Sequence, residues 1–234
     1  MFSHQEEETH VDQSHGRIYL FTIFGTRANE LEATRSVHNR VAGAPEDVAA
    51  AKSLSDLSHM VYTPVDEQEA SFVIMDLWTD LSGFNQFFSE PKRAERQAKA
   101  GIFTQQEPVV WEPAEGFFAY HIPVPTGHHD RFFALLRGPV VSREQARTLV
   151  NQVRMTDIHK ARAAGHLSHE AYFRLTQPGT PSSLEFLSVD GWFDLEGMLR
   201  YYQELDAGPA LDGLFTAPPS TWLLKHPAGE WIEW

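Results

Sequence analysis

The residues with the greatest capacity for chemistry sit in two short runs, each written twice. "VIMDLWTD" places Asp76 two positions before Trp78, and "LSVDGWFD" places Asp190 two before Trp192. "LSHMVY" sets His59 three positions before Tyr62, and "LSHEAY" sets His169 three before Tyr172. A carboxylate inside an apolar strand needs a partner. A carboxylate or an imidazole can each act as an acid or base. Strand alternation puts Phe72, Ile74, Asp76 and Trp78 on one face and Val73, Met75 and Leu77 on the other. Asp76 is therefore either a general base or polar anchor in a pocket walled by Trp78, or a buried structural carboxylate that Asp190 repeats. His59 and His169 have the same two readings: an acid or base, or a ring that satisfies buried backbone groups near a helix end.

The copies differ at other polar positions. Asn85 and Gln86 correspond to Leu199 and Arg200, Phe87 corresponds to Tyr201, and His38 lies on a first helix with no clear partner in the second copy. On this basis the expected site is in the first copy. His38, His59 and Asp76 would move protons there, and Trp78, Asn85 and Phe87 would hold the substrate. "HKARAAGHLSH" gathers His159, His166 and His169, and on a continuing helix the first two would share a face. That cluster is the place to expect an axial haem ligand, although its spacing matches no metal motif. "GHHDR" and the three histidines of the first fifteen residues are expected to be solvated loop residues.

Composition narrows the classes. The 234 residues carry no cysteine, so thiolate metal sites, disulfides and thiol catalysis are excluded. A formal net charge of −13 disfavours nucleic acid and anionic membrane surfaces. No apolar run reaches the roughly 20 residues of a membrane-crossing helix, and the start lacks the features of a secretory signal, so a cytoplasmic location is expected. The aromatic content, 16 Phe with 6 Tyr and 6 Trp, predicts a core rich in ring contacts.

The chain is one unit written twice. Laying residues 71–88 over 185–202 gives six identities in eighteen columns, against about one by composition. "GIF" before Thr104 meets "GLF" before Thr216, and the LSHxxY echo falls upstream in the same order. The predicted order in the first copy is strand (17–25), two helical pieces within 29–57, strands at "HMVYTPV" and "SFVIMDLWT", a helix capped by Asp80 and broken near Pro91, and a strand at "EPVVWEP". The second copy is predicted to run from a strand at "FFAYHIPVP", with His121 in the place of Phe21, to one at "STWLLKH". This is the βαββαβ, ferredoxin-like order. The predicted fold is α+β: two such repeats in one chain (residues 16–116 and 117–234, after a mobile polar tail, 1–15), with antiparallel sheets packed as a pseudo-dimeric α/β barrel.

The run Asp76-Leu77-Trp78-Thr79-Asp80-Leu81-Ser82-Gly83-Phe84, followed by Phe87 and Pro91, resembles the third strand and second helix of the dimeric α/β-barrel superfamily, also described as antibiotic-biosynthesis-monooxygenase-like. That resemblance implies a small-molecule-binding protein, with cofactor-independent oxygenase or isomerase chemistry on a small aromatic or apolar substrate. The fused two-copy layout is also similar to haem-binding chlorite dismutases, which makes haem the alternative cofactor to none. A non-catalytic binding or assembly protein is the third reading. The expected partner is a small-molecule ligand, with self-association left open.

Overall fold

Strand propensity and turn chemistry give the first half its order. Runs rich in β-branched and aromatic residues form β1 (Tyr19–Arg27), β2 (Asp56–Pro64), β3 (Ser71–Trp78) and β4 (Phe103–Pro113). Between β1 and β2 lie α1 (Leu31–Val41) and α2 (Pro45–Ser53), and between β3 and β4 lie α3 (Leu81–Phe88) and α4 (Pro91–Ala100). The break expected at Pro91 is complete. Glu90 caps α4 through the amides of Lys92 and Arg93, just as Asp80 caps α3 through those of Ser82 and Gly83. The structure, a computed structural model, describes residues 17–121, 131–176, 184–205 and 211–234. The tail expected to be mobile (residues 1–15) and the two histidines of "GHHDR" lie outside the described residues.

The second half contains β5 (Tyr120–His121), β6 (Phe132–Pro139), α5 (Arg143–Ala163), β7 (His166–Arg174), β8 (Glu185–Trp192), α6 (Leu195–Glu204) and β9 (Ser220–Lys225). Here one expectation is corrected. "FFAYHIPVP" is not the first strand of this half: among the described residues it supplies only the two-residue β5 on the edge of β7. The first strand is β6, which pairs with β8 and β9 as β1 pairs with β3 and β4. Phe132 faces Trp192 as Tyr19 faces Trp78, so the counterpart of Phe21 is Ala134 and not His121, which is exposed. The longer run "RFFALLRG" wins because it can pair on both edges while alternating apolar side chains between two covered faces.

The strands run β4-β1-β3-β2-β9-β6-β8-β7, and a β4–β7 pairing closes the ring into an eight-stranded antiparallel barrel. Its interior is packed with Leu20, Phe24, Tyr62, Val73, Trp111, Tyr172 and Leu187 among others, and the Trp111 indole donates to Thr22 Oγ1 at 2.8 Å. Tyr62 and Tyr172 point into this interior, on the face opposite His59 and His169. These side chains fill the barrel core, and the two cavities that carry the duplicated motif lie on its outer faces, under the helices.

Candidate functional site

The register that pairs β2 with β3 sets His59 opposite Asp76, and the same register sets His169 opposite Asp190. Both strands carry a bulge just upstream, between Asp56 and Ser58 and between His166 and Ser168. A bulge re-aims the side chains beside it. In the first half it brings Asp56, His59 and Asp76 to the helix-facing side, where α1 adds His38.

These groups form a chain. His59 Nδ1 bonds Asp76 Oδ1 at 2.7 Å, His59 Nε2 meets His38 Nε2 at 2.9 Å, and His38 Nδ1 meets Asn39 Oδ1 at 3.1 Å. The imidazoles stack at 11°, and the Trp234 ring covers His59 at 4.7 Å. Burial alone would lower the His59 pKa, but the charge and hydrogen bond of Asp76, with Asp56 and Glu233 nearby, raise it above the usual value. His38 moves the other way, to about 4, through burial and the neighbouring His59 charge. Of the two rings, His59 is therefore the one whose protonated form is favoured.

A cavity of about 460 Å³ opens beside this chain, between the β1 and β3 faces and helices α1, α3 and α4. Phe21, Ile23, Ile74, Phe87, Phe88 and Phe103 give it apolar walls, while Gln97, Thr104, Gln105 and Gln106 line other parts of it. Arg93 pins α4 across one side: its Nε bonds Asp47 Oδ1 at 3.1 Å and its guanidinium lies 3.8 Å over the Phe87 ring. Asp56 lines the same cavity with Oδ1 buried and unpartnered. Burial and the Asp76 charge push its pKa up to about 7.

The second half wires the same positions differently. Asp190 bonds His169 Nδ1 at 2.6 Å, accepts from Tyr202 at 2.7 Å and forms an ion pair with Arg154. Burial opposes ionisation of Asp190, yet Arg154 and His169 hold it well below the usual carboxylate range. The position of Asp56 is taken by His166, which is bonded to Tyr120. The cavity on this side, about 320 Å³, has mostly aliphatic walls, with Phe186, Tyr202, Ser188 and Thr221 beside the paired Arg154 and Asp190.

The structure thus brings His38, His59, Asp76 and Phe87 to one cavity wall and leaves two expected residues off it. Trp78 is fully buried behind the wall, against Phe84, Phe87 and Phe88. Asn85 is exposed on the outer side of α3, so it cannot orient a ligand there. Phe84, Phe87 and Phe88 take the inward stripe of that helix, and Asn85 falls a quarter-turn away. Asp56 and Trp234 were missed. Extending the LSHxxY echo by one residue, to "DLSH" against "HLSH", exposes the Asp56/His166 difference in the sequence itself. Trp234 leaves no such sign, because only the fold brings it to His59.

The haem expectation does not fit these residues. Gly165, at φ +97°, ends α5, so His159 stays exposed on the helix while His166 and His169 enter β7, and the three do not gather. His38 and His59 are the histidines at the first cavity, with their Nε2 atoms spent on each other, and no described histidine lines the second. Among the described residues no cluster of three or more His, Asp or Glu is arranged to hold a metal ion. No described helix is long and apolar enough to cross a membrane.

No protein-family model matches the chain, and no curated protein matches it. Solved structures do. An anthrone oxidase-like protein superposes with a TM-score of 0.68 at 14% identity, over 91% of this chain and 92% of the other. A protein proposed to be a monooxygenase, from Fusobacterium nucleatum subsp. nucleatum, gives 0.58 at 10% identity, over 90% and 92%. A single-residue variant of chlorite dismutase from Candidatus Nitrospira defluvii gives 0.53 at 12% identity, over 92% of each chain. The chain shares the fold of these proteins, here a ferredoxin-like duplication closed into one eight-stranded barrel.

Proposed function

We propose that the first-half cavity binds a small, largely aromatic molecule carrying an acidic C–H or O–H, and that Asp56 removes that proton without an organic cofactor. The observation that carries this reading is a buried carboxylate with a free oxygen, in a cavity with aromatic walls, beside a histidine held by a second carboxylate. A base with a pKa near 7 is matched to proton abstraction at neutral pH. As the proton moves to Asp56, negative charge develops on the ligand. The His59 imidazolium, fixed by Asp76, stabilises that charge in a region of low dielectric. Phe21, Phe87 and Phe88 supply the faces against which a planar ring stacks.

The anion then has two fates. Return of the proton at another carbon gives an isomerisation. Capture of the anion by dioxygen at a CH₂ centre, followed by loss of water, gives a C=O, with the carbon oxidised and dioxygen reduced. The likeness in fold to an anthrone oxidase-like protein favours the second.

The test is a set of fused-ring phenols and ketones, followed by quenching of tryptophan fluorescence and by oxygen uptake. Wild type and Asp190→Asn should bind and turn over alike, while Asp56→Asn should bind and lose 10²-fold or more of turnover, the usual scale for a general base. Equal turnover by wild type and Asp56→Asn, or no binding across the set, would overturn the reading.

A further inference from the structure

The far end of the histidine chain is closed by Asn39. Its Oδ1 accepts the Ile232 amide at 3.0 Å and faces His38 Nδ1 at 3.1 Å, while its Nδ2 donates to the Glu230 carbonyl at 2.9 Å. Turning the carboxamide over would set NH₂ against N–H and oxygen against carbonyl, two repulsive contacts, so its orientation is fixed. It follows that His38 Nδ1 carries a hydrogen. His59 Nδ1 carries another, donated to Asp76. The 2.9 Å contact between the two Nε2 atoms requires a third. Three hydrogens on two rings make one positive charge, and Asp76 draws it to His59.

The segment that orients Asn39 is itself docked on the site. Val61 N–H donates to Glu233 Oε1 at 2.8 Å, His226 meets Glu233 Oε2 at 2.6 Å, and Trp234 exchanges backbone hydrogen bonds with His59. We propose that Asn39 is a positioning residue: held by the 226–234 segment, it fixes which nitrogen of His38 is protonated and so keeps His59, two bonds along the chain, charged. The importance of this for turnover rests on the proposed function; the proton inventory does not. The charged groups facing the pair are Asp76 from β3, Asp56 from β2 and Glu233 from the docked segment. None of them bonds His38 directly, so the acceptor at its Nδ1 is Asn39.

Ring-¹⁵N-labelled histidine followed by NMR across pH tests this with no ligand present. In the wild type at pH 7, His59 should show two protonated ring nitrogens and His38 a protonated Nδ1. In Asn39→Leu the His38 Nδ1–H loses its acceptor, and the Nε2–H form becomes available to donate to His59. The pair should then shed a proton, with the His59 midpoint falling by about one pH unit or more. Asn39→Asp keeps the acceptor, so His59 should stay charged while the His38 midpoint rises. An unchanged His59 titration in Asn39→Leu, or shifts of the same sign in both variants, would overturn the inference. If Asn39→Leu does not fold, an unchanged His38 midpoint in Asn39→Asp overturns it alone. Either failure leaves the Asp56 turnover test untouched, so the two readings fall separately.

Discussion

Asp56 and Asp76 line one cavity, and their different partners give them different work. Asp76 is bound to His59, whereas Asp56 has a free, buried oxygen. Its burial beside the Asp76 charge has a stability cost of known sign. The folded pKa of Asp56, about 7, exceeds its usual 3.8, so the unfolded chain ionises first and stability falls as pH rises from about 4 to about 7. Asp56→Asn should therefore be more stable than wild type at pH 8, by roughly 2–4 kcal/mol, and the gain should vanish near pH 4. Turnover in the wild type should rise with pH through about 7, as the base becomes available. Urea melts and a pH–rate profile check the two halves of this prediction. At the duplicated carboxylates, Asp190→Asn strips the partner from Arg154 and should cost about 3–5 kcal/mol, as for a broken buried pair. Asp76→Asn should instead discharge His59 and weaken binding of a ligand oxyanion. Equal stability losses with no change in binding would make both carboxylates scaffold.

At the scale of elements, the two halves share one tight contact that accounts for a glycine repeated at equivalent positions. A Cβ on Gly83 would lie 2.0 Å from the Leu54 carbonyl oxygen, and one on Gly197 would lie 2.0 Å from that of Ala164. The N-terminal turn of α3 or α6 thus presses on the backbone that ends the preceding helix, closer than any side chain permits. Gly83→Ala and Gly197→Ala should each destabilise by about 1–3 kcal/mol, the scale of overpacking, as read by thermal melts. Gly83→Ala should also disturb ligand binding, because α3 carries Phe87 and Phe88 into the cavity wall. The elements diverge elsewhere. α1 and α2 are separate helices where α5 is one of 21 residues, and that long helix is what carries Arg154 to Asp190.

At the scale of the molecule, strands from both halves complete one barrel: β2 pairs with β9, and β4 with β7. Arg137 on β6 reinforces this by bonding Glu107 on β4 and Glu185 on β8. The interior belongs to neither half, since Trp111, Leu20 and Val73 pack with Leu135, Leu187 and Leu224. Calorimetry should accordingly show one cooperative transition for the whole chain. Trp111→Ala should lower its stability by about 3–5 kcal/mol while leaving the transition single. Two resolved transitions would mean that each half holds itself together.

The sequence by itself determined the repeat and the β-α-β-β-α-β order of the first copy, because these follow from local propensity and from the internal match, whereas the pairing of His59 with Asp76 depends on the β2–β3 register that only the fold shows. It misplaced the first strand of the second half, since two aromatic runs competed and only pairing with β8 and β9 on both edges distinguishes them. His38, His59 and Asp76 were legible as polar residues on helix-facing positions. Their chaining through Nε2 atoms, the free oxygen of Asp56 and the Trp234 ring over His59 were not. These contacts join residues 21 to 175 positions apart, and their energetics depend on what each group loses to burial and gains from its neighbours. Only the closed tertiary structure decides that balance, and it decides it differently in the two copies of the same motif.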